Sequence, residues 1–581
     1  MARPPPKLTI LACKKDLSHQ EITITDNTDF ATTISTSVSG FVNDENNAPA
    51  QNATVTAGNK TAVTNQYGYF KIENAMLVKN AALVTVSKTG YYKGIKTYSA
   101  TEGKTAFFRI KLIPETLSGS FNATAGGTVT VASGLIVSLP ANAVVNASTN
   151  AAYSGTVNVF SYFIDPLSPD LNNIMPGDQR GIDIAGALKG LTTYGMAAVE
   201  LRGASGEKLQ ISSGKKATLS FPLAGNILAA APASIPLWYL DESTGLWKQE
   251  GTAAKTGNTY SGDVSHFSYW NCDLPNAIVP LTFTVVNAAG LPLSDIHVEI
   301  TPTTLNSWSH IGGYTDASGY VSVFVTPNAS YHLVLTSNSY GCSSALYIQD
   351  FSVTTMPVNL GNLVTGTVNN TYTITGNVID CNNNPVIDGT IFLQNAFYYS
   401  AYPVSSSGTF NISYYSCNTQ PLNLIAVNNL TLEQSIVFAY AVSPGLNNLG
   451  NIQACGSTTS EYIQYNYDGA QHSLTTPGNY VYQYRSGNND FISGYGQSSD
   501  HANFNYTNTG VSAGTDQLLG GLSLGSSLDS LVAGPGSTVH ITEYGNIGEY
   551  IKGNFFIVAH KYTDPTVTHN IIAQFRVKRG S

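Results

Sequence analysis

The stretch Gly40-Phe-Val42-Asn-Asp44, with Pro49 close behind it, decides the fold because it returns twice in the chain. It recurs as Phe283-Thr-Val285-Val-Asn287 before Pro292, and as Gly376-Asn-Val378-Ile-Asp380 before Pro385. In all three copies the Val stands seven residues ahead of the Pro. An alternating apolar run follows each Pro: Ala53-Thr-Val55, Ile296-His-Val298 and Thr390-Ile391-Phe392. A second signature comes next, as Thr64-Asn-Gln-Tyr-Gly68-Tyr-Phe70, Thr315-Asp-Ala-Ser-Gly319-Tyr-Val321 and Ser405-Ser-Ser-Gly408-Thr-Phe410. Here the Gly supplies positive φ to a tight turn, and the apolar residue two places on opens the next inward-facing strand position.

Outward from these copies the pattern continues. Runs of Val, Ile, Thr, Tyr and Phe alternate with Gly, Asn, Asp and Pro clusters from residue 37 to the end, the mark of many short strands joined by turns. Composition agrees. Charged residues are 11% of the 581, against about 25% in an average soluble protein, so coiled coils and long solvated helices are excluded. A net charge of −9 with no basic stripe argues against nucleic acid. The 42% of hydrophobic residues argues against disorder. The expected fold class is all-β: tandem β-sandwich domains, transthyretin-like or Ig-like, in an elongated multidomain chain. Length alone suggests about four domains.

The two signatures together resemble the carboxypeptidase regulatory-like domain, a transthyretin-like β-sandwich. Copies are placed at 37–113, 279–365 and 366–455. That module accompanies a peptidase and lacks its zinc site, so the resemblance implies no catalysis. Residues 114–278 differ: Gly126-Gly-Thr-Val129 and Leu139-Pro140-Ala-Asn-Ala143 resemble the opening of a ZU5-like β-domain. The ending, with Trp238, Trp247 and Val264-Ser-His266-Phe-Ser268-Tyr-Trp270, is similar to cartilage-intermediate-layer-type ectodomains. Residues 456–581 form a last β-domain.

At the N-terminus, Ile10-Leu11-Ala12-Cys13 followed by Lys14-Lys15-Asp16 resembles the lipobox of Bacteroidetes-type surface lipoproteins. Residues 1–13 are then a signal remnant, Cys13 the lipid attachment point, and 14–36 a spacer. The apolar run Leu8–Ala12 is shorter than a signal core and follows three prolines, so an ordinary Cys is the other reading. No run of about 18 apolar residues suggests a membrane-spanning helix. The expected location is the outer membrane or cell surface, or the medium. Cys272, Cys342, Cys381, Cys417 and Cys455 show no zinc spacing; four of them could pair in an exported protein.

Catalytic patterns are sparse. Gly521-Leu-Ser523-Leu-Gly525 fits G-x-S-x-G but lacks the strand–elbow–helix setting of a nucleophile. His266 stands near Asp263, Ser265 and Ser268, yet strand neighbours point to opposite faces, which favours a His packed among Trp238, Trp247 and Trp270. Asp380-Cys-Asn382-Asn-Asn384 imitates a calcium loop but has Pro385 and Ile391 where Gly and Glu belong. No catalytic residue, metal or cofactor is expected.

Tyr480, Tyr482 and Tyr484 alternate, so a strand sets all three on one face. Further Tyr stand at 462, 465 and 467, and at 398, 399 and 402. Such a row either forms a ligand platform for sugars or proteins, or packs as a structural face. Residues 17–36 (with Glu21-Ile-Thr-Ile-Thr25) either space the chain from a membrane or exchange a strand with a neighbour. The expected function is a non-catalytic surface or extracellular structural and adhesion protein, probed by an extracellular glycan or protein partner and tethered to the membrane by lipid. The alternatives are a carbohydrate-binding component of a glycan-uptake system and a fibre subunit built by strand exchange.

Overall fold

A computed structural model of the chain describes residues 29–580 apart from 304–308, 338–344, 367–370, 381, 396–397, 416–421, 432, 436–437, 441–443, 455–460, 468–469, 476–479, 497–500 and 526–529. It is all-β, with helix confined to two single turns, Leu171–Ile174 and Gly225–Leu228, among the described residues. Cys13 and the cysteines at 342, 381, 417 and 455 lie outside the described residues; Cys272 is a buried free thiol.

The first copy contains strands β1 (Thr33–Asn43), β2 (Thr54–Ala57), β3 (Lys60–Val63), β4 (Tyr69–Val78), β5 (Ala82–Ser87), β6 (Gly94–Tyr98) and β7 (Thr105–Lys111). They form two sheets, ordered β4-β1-β7 and β3-β2-β5-β6, with β1 antiparallel to β4 and parallel to β7. Alternate residues of both sheets, among them Val38, Val55, Phe70, Ile72, Val84 and Ile110, fill the core between them. The other two copies repeat the order strand for strand. The second pairs Tyr320–Val325, Val279–Val286 and Val358–Val364 in one sheet, and Ile311–Tyr314, Ile296–Pro302, Ala329–Ser337 and Tyr347–Val353 in the other. The third does so with seven strands from Thr371 to Gln453. Strand β1 begins inside the segment read as a spacer: Thr33–Thr36 pair with Ala75–Val78 of the same chain.

The two sequence signatures meet in space. The Val42 amide donates to Gly68 O at 2.8 Å, Val285 to Gly319 O at 2.8 Å, and Val378 to Gly408 O at 2.7 Å. In return the Val carbonyls accept the amides of Ala50, Leu293 and Val386, each one residue past the Pro. The intervening turn is closed by a side chain. Asp44 Oδ1 accepts the amides of Asn46 and Ala48, Asn287 Oδ1 those of Ala289 and Leu291, and Asp380 Oδ1 those of Asn382 and Asn384. This Asx turn is why an Asp or Asn stands there. The Asp380 carboxylate, held below its ordinary pKa first by the Asn384 amide, serves the turn.

Between Leu117 and Asn276 a thirteen-stranded sheet encloses a core that includes Val137, Val159, Leu201, Phe221, Leu237 and Trp270. A second cluster joins this region to the first copy: Tyr92, Ile95 and Ile113 pack with Met196, Trp238, Leu240, Trp247 and Tyr269. Asp273 is buried here, accepting from the Asn271 amide, and burial lifts its carboxyl well above the usual range. In the last domain ten strands from Tyr462 to Lys578 make one sheet curled around a single core, so that Gly494 on one strand faces Ile463 and Leu474 on others.

The chain divides into two compact units. One holds residues 1–373 with 395–400 and 413–419; the other holds 374–394, 401–412 and 420–581.

Two expectations follow. Gly319 has φ +72 and a Cβ there would stand 2.4 Å from Val285 O, whereas Gly290, at φ +77, has open space. Gly290→Ala should therefore cost only the left-handed penalty, about 1–2 kcal/mol, and Gly319→Ala distinctly more, read as the shift of the unit's unfolding transition in urea. Folding also raises the Asp273 pKa above its unfolded value, so the folded state binds the extra proton and stability falls as pH rises above about 4. Asp273→Asn should flatten that fall and raise stability at pH 7, measured by denaturant melts across pH.

Candidate functional site

Tyr480–Ser486 and Asn489–Tyr495 form a hairpin through Gly487, which takes φ +59. Alternation sends Val481 into the core and Tyr480, Tyr482 and Tyr484 outward, 79%, 43% and 44% exposed. The expected common face is thus formed. The next three strands extend it. Opposite the three Tyr stand Tyr495, Ser493 and Phe491; beyond these come His501, Asn503 and Asn505; and Ser523 pairs with Asn503.

The rings lie nearly parallel. Tyr484 stacks on Phe491 with centroids 4.9 Å apart and 9° between planes. Tyr482 stands 6.2 Å from Tyr484 and 6.4 Å from Tyr495, at 28° and 21°. Tyr495 in turn stands 6.5 Å from the His501 ring. Burial first, and then the neighbouring Tyr482, push the Tyr495 phenol above its ordinary pKa, so this phenol keeps its proton at physiological pH. The sequence offered no polar groups converging on this row. The sheet register supplies them, from residues up to 41 positions away (482 to 523).

A charged network on the opposite side of the hairpin fixes it. Asp490 is fully buried and accepts from Gln483 Nε2 at 2.9 Å, Arg485 Nε at 3.1 Å and the Tyr544 hydroxyl at 2.9 Å. Gln483 Oε1 also accepts the Gly580 amide at 2.7 Å, tying the Tyr strand to the chain's end.

The remaining sequence candidates are dispersed. Ser523 of the G-x-S-x-G stretch lies on an extended strand, with its hydroxyl 2.7 Å from His501 Nε2. Among the described residues no carboxylate bonds to that imidazole's other nitrogen, and a strand offers no elbow amides for an oxyanion. His266 packs against Tyr239 and Trp270, at 4.7 and 5.2 Å, while Trp238 and Trp247 sit in the other cluster. Its would-be partners turn elsewhere: Asp263 to Thr218, Ser265 to Glu250. Burial lowers the His266 pKa, as for a neutral packed imidazole. Tyr465 points into the core, its hydroxyl donating to His501 O at 3.2 Å. Tyr399 packs against Tyr67, with centroids 4.8 Å apart and the rings tilted by 51°.

No family model matches the chain. It is 34% identical over 106 residues to mouse cartilage intermediate layer protein 2, and 34% over 110 residues to the human protein. Each match takes in 18% of this chain and only 9% of the relative's length. Among solved structures, a streptococcal ancillary pilin is similar to it at 12% identity, covering 34% of this chain and 85% of the pilin with a TM-score of 0.14. No helix among the described residues is long and apolar enough to cross a membrane.

Because Asp490 is buried with three donors aimed at it, Asp490→Ala should destabilise the C-terminal domain by about 2–4 kcal/mol. The check is its unfolding transition, followed by Tyr fluorescence.

Proposed function

We propose that this chain is a non-catalytic binding protein of the cell surface or extracellular space, and that its C-terminal aromatic face binds polysaccharide. The supporting observation is the open row of Tyr480, Tyr482, Tyr484 and Tyr495 flanked by Asn503, Asn505 and Ser523 on the same sheet face. Sugar rings carry apolar C–H faces and equatorial hydroxyls. Parallel aromatic rings cover the first, and phenol, amide and hydroxyl groups bond the second. A row of phenols, amides and a hydroxyl, with no carboxylate or amine among them, suits a neutral glycan. The β-sandwich copies, read as regulatory-like modules, and the ZU5-like middle region then act as the scaffold that displays this face. Lipid attachment at Cys13, where it occurs, would tether the scaffold to an outer membrane.

The test is binding of the full chain to a panel of neutral polysaccharides. Saturable binding to one class is expected. Tyr482→Ala and Tyr484→Ala should each weaken it about tenfold, with the unfolding transition of the domain unchanged. Binding that survives both substitutions undiminished would falsify the reading.

A further inference from the structure

A cavity of about 440 Å³ lies inside the first unit, walled by the first copy, the middle region and the second copy. That volume falls in the range of small-molecule sites, about 300–1,000 Å³. Its polar wall is unusual for a chain so poor in charge. Lys96 is buried and donates to the carbonyls of Asn172 and Met175, at 2.7 and 2.8 Å, leaving its third N–H without a hydrogen-bond acceptor among the described residues. Burial draws this amine down to about 7 although the Asp178 carboxylate pulls the other way, a remaining cost that a further anion beside it would relieve.

Arg180, only 1% exposed, is ion-paired through Nη2 with Asp178 at 2.7 Å and donates to Asn80 O, so its charge is met and it serves to position the wall. Gln179 beside it has φ +61, a conformation that L side chains rarely adopt, and its buried Nε2 has no partner among the described residues. A strained backbone that holds an unpartnered amide at a cavity wall is typical of a ligand site, because packing alone would select Gly or Asn there. Aromatic surface completes the wall: the Phe324 ring lies 4.7 Å from the Arg180 guanidinium, and Tyr314 also lines the space.

We propose that this cavity binds a small carboxylate-bearing ring compound of monosaccharide to disaccharide size, its carboxylate received by donors from Lys96 and Gln179. The site is independent of the C-terminal aromatic face. The donors select a carboxylate, and the aromatic wall selects a ring. A pocket filled only by water would need neither the strain at Gln179 nor a buried amine with a spare N–H.

The experiment titrates the full chain with glucuronate by calorimetry, with glucose as the uncharged control. Glucuronate should bind saturably and at least tenfold tighter than glucose. Lys96→Met should weaken it by tenfold or more. Gln179→Gly removes the amide while relieving the backbone, so it should hold or raise the unit's unfolding temperature and still weaken glucuronate at least fivefold. That second variant keeps the proposal testable if Lys96→Met does not fold. Equal or absent binding of the two sugars, or glucuronate affinity undiminished in Gln179→Gly, would overturn it.

Discussion

Each β-sandwich copy depends on one exchange of backbone hydrogen bonds. A single Val donates its N–H to a Gly carbonyl on the neighbouring turn and accepts, through its own carbonyl, the amide just past the Pro. The Gly must have positive φ, and at Gly68 and Gly319 a Cβ would meet that same Val's oxygen at 2.3 and 2.4 Å. The turn before the Pro must be closed by an Asx side chain to bring the amide into reach. Three local rules therefore converge on one peptide unit, where the three-stranded and four-stranded sheets are brought together. Thr64 and Thr315 add a fourth tie, each hydroxyl bridging the carbonyl one residue past the Pro and an amide at the start of the strand that follows it. The third copy has Val404 in that place and makes the exchange without it.

Charge is scarce here, and several of the buried charges join modules. Arg109 of the first copy pairs with Asp295 of the second, both about 95% buried, with the guanidinium over the Phe41 ring at 4.8 Å. Lys96 and Arg180 bridge the first copy and the middle region through backbone carbonyls. Buried charges of this kind add little net stability over an apolar contact. They do penalise any misdocked arrangement that leaves one unpaired, so they define which faces meet. An apolar seam such as that of Ile95, Trp238 and Trp247 supplies the affinity between the same two modules without that selectivity.

The repeated sandwiches were legible in the sequence because their determinants are local: turn residues, a Gly of positive φ and strand alternation all lie within about 30 residues, from Gly40 to Phe70. The outward direction of Tyr480, Tyr482 and Tyr484 was legible for the same reason. What surrounds them was not. Ser493, Asn503 and Ser523 join the Tyr row only through the register of four strands, and register is a property of pairing, which no single strand encodes. Tyr465 shows the complementary limit. It belongs to a Tyr-rich run like the other, yet its parity places it in the core. The cavity wall is further still from sequence reading, because Lys96, Gln179 and Phe324 come from three modules.

The position of the aromatic row has its own physical logic. It occupies the last strand in the sheet order, where unpaired backbone groups would ordinarily invite another strand. Here the inward side of that strand is anchored by Gln483 and Arg485 on the buried Asp490, and by Gly580 on Gln483. Those contacts hold the strand flat against its own domain, so little side-chain or backbone freedom remains to be lost when a ligand settles on the rings. Tyr has only two side-chain torsions, and the rings of Tyr482, Tyr484 and Tyr495 are already ordered against a neighbour on the same or the next strand. A rigid, uncharged and laterally supported aromatic face is what weak per-ring stacking requires if several contacts are to add along an extended chain rather than be cancelled by ordering costs.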